Sequence, residues 1–274
     1  MTAILFGASS MLGYSLLRAR SDVAAYVNGK TKHVPPGVTG AIDLDDEPDV
    51  AALFTRVTPA TIVQCAGVCD VENCEQSPEF AWRVNVEAMR ILIAHAPPAC
   101  RIVYCSSDHV FSGDTGPYDE RSSPDPLSVY GRTRVAAEEL MLARPNTLVV
   151  RSGPWIGPSA SGRSGHLDWL RSRHARGLPM TVVADEARSA VWAEEAAERV
   201  WRLAASSLVG IRHLVTPRAV SRPELAAFLD RTFAIGARIE VHHRRDRRAP
   251  HPGHVELRTM FHDELAAPLR SVVT

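Results

Sequence analysis

The hydroxyl groups of Ser107 and Tyr130 can donate or accept protons, and the sequence pattern predicts that both lie at the same edge of a sheet. Ser107 follows an apolar strand predicted over 101–106, and Tyr130 begins a helix predicted over 129–143. Open α/β sheets place ligands at the carboxyl ends of their strands. Arg134 lies four positions after Tyr130, on the same helix face, and a cation beside a phenol lowers its pKa. The spacing fits either an acid–base site or an ordinary surface pair.

A glycine-containing turn, Gly7 to Gly13, follows the first predicted strand and opens the first predicted helix. A helix amino terminus presents free N–H groups and a partial positive charge, which suit a pyrophosphate. Gly7 allows the tight turn and Gly13 lets helix and strand pack closely. Ser10 stands where such turns usually have their middle glycine, and its side chain crowds the phosphate. The turn predicts a dinucleotide site; a plain strand–turn–helix junction is the alternative.

The loop after the second predicted strand bears on the choice between NAD and NADP. An acidic residue usually grips the ribose 2′-OH there in NAD-selective domains. This loop, Asn28-Gly29-Lys30-Thr31-Lys32, has no carboxylate to repel a 2′-phosphate, and Lys30 and Lys32 could pair with it. NADP(H) is therefore the expected cofactor, and two merely solvated lysines are the alternative.

Strand and helix patterns alternate through the first 150 residues. Strands are predicted at 2–6, 23–27, 38–43, 61–65, 101–106 and 147–151, and helices at 11–20, 48–57, 79–96 and 129–143. Several strands are continuously apolar, as in a sheet covered on both faces. The pattern predicts a Rossmann-type, doubly wound parallel α/β sheet.

The pattern loosens after residue 151, with helices predicted at 167–176, 194–205 and 222–233 and strands at 180–183 and 211–215. We expect residues 1–153 and 190–216 to form the NADP(H)-binding Rossmann domain. Residues 154–189 and 217–274 would form a smaller substrate-binding lobe.

The composition narrows the classes of partner. Lys+Arg and Asp+Glu both number 31 in 274 residues, so no net charge favours nucleic acid or a membrane surface. The first residues lack a secretory leader, and no apolar run approaches the roughly 20 residues that span a bilayer. We therefore expect a soluble cytoplasmic protein with a small-molecule substrate.

Neither the cysteines nor the basic tail predicts a metal site. Five cysteines suit reduced thiols, and Cys65, Cys69 and Cys74 lack the paired spacing of a zinc site. The tail has a basic run over 242–248, followed by His251 and His254. It could clamp a phosphorylated substrate or bind a metal, but a solvated basic loop is the favoured interpretation. No metal is expected.

The order of the motifs resembles the extended short-chain dehydrogenases/reductases, and within them the dTDP-4-dehydrorhamnose reductase group. The resemblance runs through nearly the whole chain. Besides the turn and the Tyr130 helix, the segments that carry it are 64–67, 71–75, 84–86, 106–113, 116–120, 126–131, 151–152, 188–197 and 210–214.

The resemblance implies a role for each matching residue. Ser107 would hydrogen-bond the substrate carbonyl and Tyr130 would exchange a proton with the substrate oxygen. Arg134 stands at the family's catalytic lysine, keeping the charge but unable to release a proton. Together with the turn and the lysine-bearing loop, the expected cofactor contacts are Gly7, Ser9, Ser10, Met11, Leu12, Gly13, Asn28, Lys30, Asp43, Leu44, Cys65, Ala66, Gly67, Tyr130, Arg134 and Ser152. The expected substrate contacts are Ser107, His109, Trp155 and Arg188.

These observations predict an NADPH-dependent reductase of a carbonyl, on a nucleotide-linked 4-keto-6-deoxy sugar. Ser10 and Arg134 depart from the family pattern and leave two alternatives open. One is a non-catalytic regulatory subunit, which a relative in methionine adenosyltransferase exemplifies. The other is an epimerase or dehydratase that recycles its cofactor. The sequence leaves the oligomeric state open; dimers are common in the resembling family, so a homodimer is one candidate assembly.

Overall fold

A parallel sheet forms the centre of the molecule, whose computed structural model describes residues 3–274. The strands are β1 (Ala3–Phe6), β2 (Val23–Val27), β3 (Gly40–Ala41), β4 (Thr61–Gln64), β5 (Arg101–Cys105), β6 (Thr147–Arg151), β7 (Trp155–Ile156), β8 (Met180–Val183), β9 (Ala187–Arg188), β10 (Val191–Trp192), β11 (Gly210–His213), β12 (Val220–Ser221), β13 (Ile239–His242) and β14 (His254–Val255). The helices are α1 (Met11–Ala19), α2 (Glu47–Arg56), α3 (Val71–Gln76), α4 (Pro78–Trp82), α5 (Ala88–His95), α6 (Val129–Leu142), α7 (Gly165–Ala175), α8 (Ala193–Ala204) and α9 (Arg222–Thr232).

The main sheet has seven strands in the order β11-β6-β5-β4-β1-β2-β3, and every neighbouring pair is parallel. All residues of β1, β5 and β6 are buried because helices cover both faces. Leu16 of α1 and Val200 of α8 lie in the core on one face. Leu53, Leu92 and Met141, from α2, α5 and α6, lie in the core on the other. The predicted doubly wound fold is confirmed.

Two predicted elements differ from the structure. The strand predicted over 38–43 is reduced to the two residues of β3, which pair only with Tyr26 and Val27 at the edge of the sheet. The helix predicted over 79–96 is interrupted between α4 and α5 by a π-helical turn, Arg83–Glu87. Hydrophobic periodicity does not reveal this wider turn, because π-helical turns are rare and occur mostly as single turns inside α-helices.

Three small sheets lie beyond the main one. β7 pairs with β10, β9 lies between β12 and β14, and β8 pairs with β13. Helices α7 and α9 pack against this part, where Leu170, Met180 and Ala226 share one core cluster. In the described part of the chain, no helix is long and apolar enough to cross a membrane.

Candidate active site

The turn between β1 and α1 has no space for side chains at its two glycines. Gly7 has a φ of +86°, and a Cβ added there would lie 2.5 Å from the backbone nitrogen of Ala66. A Cβ on Gly13 would lie 2.0 Å from the carbonyl oxygen of Gly7. The glycines therefore let the turn approach both α1 and the β4 loop, as a phosphate-binding turn requires.

Ser10 caps helix α1. Its hydroxyl accepts a hydrogen bond from the Gly13 backbone N–H at 2.9 Å, and its backbone is extended. Serine is a preferred N-cap residue because it satisfies one of the helix's free donors. The departure from glycine thus has a structural use, and one N–H of the first turn is already occupied.

A cavity of about 290 Å³ opens beside this turn, at the carboxyl ends of β1, β2 and β4. Phe6, Ile42 and Val84 give it apolar walls. The predicted cofactor contacts that line it are Gly7, Asn28, Lys30, Leu44, Ala66 and Gly67. Close by, Ser9 and Thr31 exchange a hydrogen bond of 3.4 Å, and Met11 and Leu12 pack against the core. An apolar cleft with polar edges, joined to a glycine turn, fits the adenosine half of a dinucleotide.

Asp43 corrects one statement made from the sequence. The loop after β2 contains no carboxylate, but Asp43 accepts hydrogen bonds there from the Gly29 N–H (2.8 Å) and the Asn28 amide. The negative charge therefore lies against the lysine-bearing loop, and these two donors partly satisfy it. Residues 14 or 15 positions apart meet because β2 and β3 are paired.

Ser107 and Tyr130 meet at the carboxyl end of β5. Ser107 is buried and caps a short 3₁₀ helix, Asp108–Val110, by accepting from the His109 N–H at 3.2 Å. Helix α6 begins at Val129, capped by Ser128, which places buried Tyr130 in its first turn. The guanidinium carbon of Arg134 lies 5.1 Å from the Tyr130 ring centroid, and its Nη1 donates to the Tyr104 hydroxyl at 2.9 Å.

Burial and the arginine act on Tyr130 in opposite directions. Burial raises the pKa of Tyr130 above its ordinary value, while the Arg134 charge and hydrogen bonding from Ser107 reduce the rise. Burial also raises the pKa of Tyr104 to about 12, again opposed by Arg134. Tyr130 is therefore protonated at neutral pH, in the form that can donate a proton.

Asn85, in the π-helical turn, lies in a segment that carries the family resemblance, but the sequence analysis gave it no role. Its carboxamide accepts from the Val68 N–H at 2.9 Å, and donates to the Val68 carbonyl and the Thr133 hydroxyl at 3.0 Å each. It therefore joins the loop after β4 to α6. A Cβ on Gly67 would lie 2.7 Å from Asn85 Oδ1 and 2.8 Å from Arg134 Nη2. An Asn inside an apolar helix face is the signal that could have revealed it.

His109 and Arg188 lie next to the Ser107 turn. The His109 ring meets the Tyr130 ring edge-on, with centroids 5.1 Å apart. Arg188 is 3% exposed and binds both carboxylate oxygens of Asp108. Its Nη1 also contacts Glu186 at 3.1 Å and His109 Nε2 at 3.2 Å. The guanidinium of Arg188 therefore lies against the His109 ring, and its N–H donors are already used by Asp108, Glu186 and His109.

The remaining predicted residues line the inner side of this region. The Trp155 indole donates to the Ser152 hydroxyl at 2.8 Å, and both residues are buried. The Ser152 carbonyl accepts from the Asp108 N–H at 3.0 Å. The Cys65 thiol donates to the Phe6 carbonyl at 2.9 Å, and burial raises its pKa to about 12. Cys65 is an inert packing residue here.

A second cavity, of about 450 Å³, lies among α7, β8 and α9. Its apolar walls include Trp169, Met180 and Leu225, and one side is basic. The lining contains the basic side chains of Arg163, His166, Arg222, Arg247 and His251 and the carboxylates of Asp70 and Glu186. Such a cavity suits an apolar or aromatic group attached to an anion.

The basic tail is partly built into the structure. Arg247 and His251 line the second cavity, and His251 Nδ1 lies 3.0 Å from Glu186. Arg244 Nη1 contacts Asp114 at 3.2 Å, and its backbone N–H donates to Asp185 at 2.8 Å. Within residues 3–274, no three His, Cys, Asp or Glu side chains are grouped as a metal site would need.

Fold and site together define the architecture of the extended short-chain dehydrogenases/reductases. The family model described as RmlD substrate binding domain matches residues 1–269. The chain therefore belongs to the RmlD substrate-binding domain family, and the resemblance stated from the motifs is confirmed.

Known relatives agree with this assignment. The chain is 31% identical over 209 residues (73% of this chain) to a probable dTDP-4,6-dihydroxy-2-methyloxan-3-one 4-ketoreductase of Streptomyces antibioticus. It is 30% identical over 220 residues (76%) to the dTDP-4-dehydrorhamnose reductase of Streptomyces griseus. Each alignment covers 66% of the relative, just under two thirds of its length.

Solved structures with the same fold include two from this enzyme group. A hypothetical dTDP-4-dehydrorhamnose reductase from Sulfolobus tokodaii matches with a TM-score of 0.81 and 25% identity, over 94% of this chain and 92% of that one. The dTDP-4-dehydrorhamnose reductase of Bacillus anthracis, solved in complex with NADP, matches with a TM-score of 0.80 and 21% identity, over 96% and 91%.

Proposed function

We propose that this protein is an NADP(H)-dependent reductase of a carbonyl group on a nucleotide-linked 4-keto-6-deoxy sugar. The observation that carries the proposal is the position of Tyr130, which is protonated and lies close to Ser107. Both residues lie at the carboxyl edge of the main sheet, where the glycine turn after β1 also lies. The names of the two Streptomyces relatives supply the substrate class.

The glycine turn and the cavity beside it have the geometry that binding of NADP(H) would need. The two glycines pack the amino terminus of α1 closely against the turn and the loop after β4, where a pyrophosphate would bind, and the 290 Å³ cavity would hold the adenosine. Lys30, exposed at the rim of that cavity, would pair with the 2′-phosphate of NADP(H). The bound nicotinamide would supply or accept the hydride.

Side chains of this protein would bind and protonate the carbonyl oxygen of the substrate. Ser107 would donate a hydrogen bond to it, and Tyr130 would give it the proton that completes reduction. Arg134 would stabilise the Tyr130 phenolate left behind, since its charge lies over that ring. Because an arginine does not release its proton, the phenol would recover its own from solvent.

The substrate lobe would comprise residues 154–189 and 217–274, opposite the Rossmann domain of 1–153 and 190–216. Its 450 Å³ cavity would accept the nucleotide part of the substrate, with the base against apolar walls and the phosphates towards Arg247. Trp155 and His109 would contact the sugar. Arg188 is already bonded to Asp108 and Glu186, so it would position neighbouring residues and would not bind the substrate itself.

Fluorescence titration of the purified protein with NADPH, and separately with NADH, tests the cofactor half of the proposal. We expect micromolar binding of NADPH and weaker binding of NADH. Turnover is then assayed with dTDP-4-keto-6-deoxy sugars by following NADPH absorbance. Absence of binding for both cofactors would contradict the proposal and favour a regulatory subunit. Product formation without net NADPH consumption would favour an epimerase or dehydratase.

Arg134→Lys tests whether the arginine is an adaptation of this chain. We expect slower turnover, because a lysine ammonium is a point charge without the planar fork that contacts Tyr104 and lies over Tyr130. Measurement of kcat at saturating cofactor checks this. A large gain in rate would show instead that the arginine is a handicap.

A further inference from the structure

Arg188 determines the protonation state of one ring nitrogen of His109, Nε2. Nε2 lies 3.2 Å from Nη1 of Arg188. A guanidinium only donates hydrogen bonds, so the nitrogen that faces it must be an unprotonated acceptor. In neutral imidazole the proton then resides on Nδ1. Among residues 3–274, Nδ1 has no hydrogen-bond partner, and the side chain is only partly buried.

Arg188 is held so that it cannot turn away. Two of its nitrogens bind the two oxygens of Asp108, which immediately follows Ser107. Its Nη1 is shared between His109 and Glu186. Bidentate pairs of this kind fix orientation as well as charge.

A second arginine fixes the far end of this chain. Glu186 Oε1 accepts from Arg222 Nε at 2.8 Å and Nη2 at 2.6 Å, and Glu186 Oε2 lies 3.0 Å from His251. Asp108, Arg188, Glu186 and Arg222 thus alternate in sign from the Ser107 turn to the wall of the second cavity.

We propose that His109 is a specificity-determining residue that donates a hydrogen bond from Nδ1 to a sugar oxygen beside the reacting carbonyl. Arg188 is the positioning residue that fixes the His109 proton on Nδ1. That the acceptor is a sugar oxygen rests on the function proposed above, whereas the position of the His109 proton on Nδ1 does not.

The charges that face His109 favour the neutral ring. Burial and the Arg188 charge hold the pKa of His109 well below its usual range, Glu186 opposes them, and Arg222 and His251 add to them. Asp108 is neutralised by its pairing with Arg188, and Tyr130 is uncharged at neutral pH. His109 therefore remains a neutral hydrogen-bond donor at neutral pH.

Nuclear magnetic resonance of the full chain labelled with ¹⁵N-histidine tests the position of the proton without any substrate. The His109 signals are identified by their loss in His109→Gln. In a long-range ¹H–¹⁵N correlation spectrum we expect the Nδ1–H tautomer, unchanged from pH 5.5 to 8. Arg188→Lys keeps the charge but cannot span all three partners, and we expect it to yield mixed tautomers. An Nε2–H tautomer, or ordinary titration, in the unmodified protein would overturn the proposal even if Arg188→Lys fails to fold.

Steady-state kinetics test the donation to substrate. His109→Gln retains an N–H donor, and we expect its kcat/KM for a dTDP-4-keto-6-deoxy sugar to stay within about threefold, against a loss of about tenfold or more in His109→Phe. His174→Gln, on the exposed face of α7, is the control and should match the unmodified protein. Full activity of His109→Phe would overturn the donor role. Inactivity of the unmodified protein would count against the proposed function, whereas the spectra would still decide where the His109 proton lies.

Discussion

At the scale of single residues, the arginine in the catalytic helix is the main departure from the family pattern. Arg134 is buried between two phenols, Tyr104 and Tyr130, and carries its charge there. Burial by itself lowers the pKa of Arg134, but its hydrogen bond to Tyr104 and the charges that Tyr104 and Tyr130 would carry once ionised outweigh burial, and the net pKa is raised. The arginine therefore supplies a permanent charge to Tyr130.

Replacement of the proposed acid, Tyr130→Phe, removes only a hydroxyl from a packed ring. We expect turnover to fall at least a hundredfold, in the range that general acids contribute, with folding retained. The measurements are kcat with NADPH and a dTDP-4-keto-6-deoxy sugar, and circular dichroism as the folding control. Undiminished turnover would exclude Tyr130 as the acid.

The raised pKa of Tyr130 predicts the pH dependence of reduction. An acid must be protonated to act, so activity falls only as the pH rises through its pKa. Because burial raises that pKa above the ordinary tyrosine value, we expect kcat/KM for reduction to be independent of pH between about 6 and 9. A fall in kcat/KM inside this window that Tyr130→Phe abolishes would contradict the raised pKa.

At the scale of elements, the proposed cofactor site depends on the close packing of α1 on the β1 turn. A Cβ on Gly13 would press on the Gly7 carbonyl, which belongs to the backbone and cannot turn aside. We expect Gly13→Ala to lower stability by about 1–3 kcal/mol and to weaken NADPH binding at least tenfold. Denaturant unfolding and fluorescence titration measure the two effects.

Gly40→Ala provides the matched control for the glycine turn. Gly40 lies in β3 of the same sheet, and a Cβ there would meet Tyr26 at an ordinary 3.6 Å. We expect near-normal stability and NADPH binding. If both alanine variants behaved alike, close packing at Gly13 would not be what forms the site.

At the scale of the whole molecule, a cofactor bound in the proposed site would link the glycine turn, the β2 loop and helix α6. Ligand binding to the folded state adds about 2.7 kcal/mol at a concentration of 100 Kd. For a chain of this size we expect NADPH at that concentration to raise Tm by about 5 °C or more. Replacing Lys30 and Lys32 together by alanine should reduce the shift with NADPH and leave that with NADH unchanged. Equal losses for both cofactors would exclude a role in reading the 2′-phosphate.

Hydrophobic pattern and motif spacing were enough to predict the class of fold and most of the proposed site. Buried strands and helix periods follow directly from hydrophobic pattern, so the parallel sheet was predictable. Gly7, Ser107 and Tyr130 were recognisable because each occupies a fixed place relative to a strand end or a helix start.

Which distant groups meet could be known only from the folded chain. The approach of Asp43 to the β2 loop, the π-helical Asn85 that binds Val68, and the partners of Arg188 all join residues far apart in the chain. Local propensity and periodicity do not encode such pairs, because they arise from how strands pair and helices pack. The sequence thus specified which side chains could do chemistry, and the packing decided which of them are held in contact.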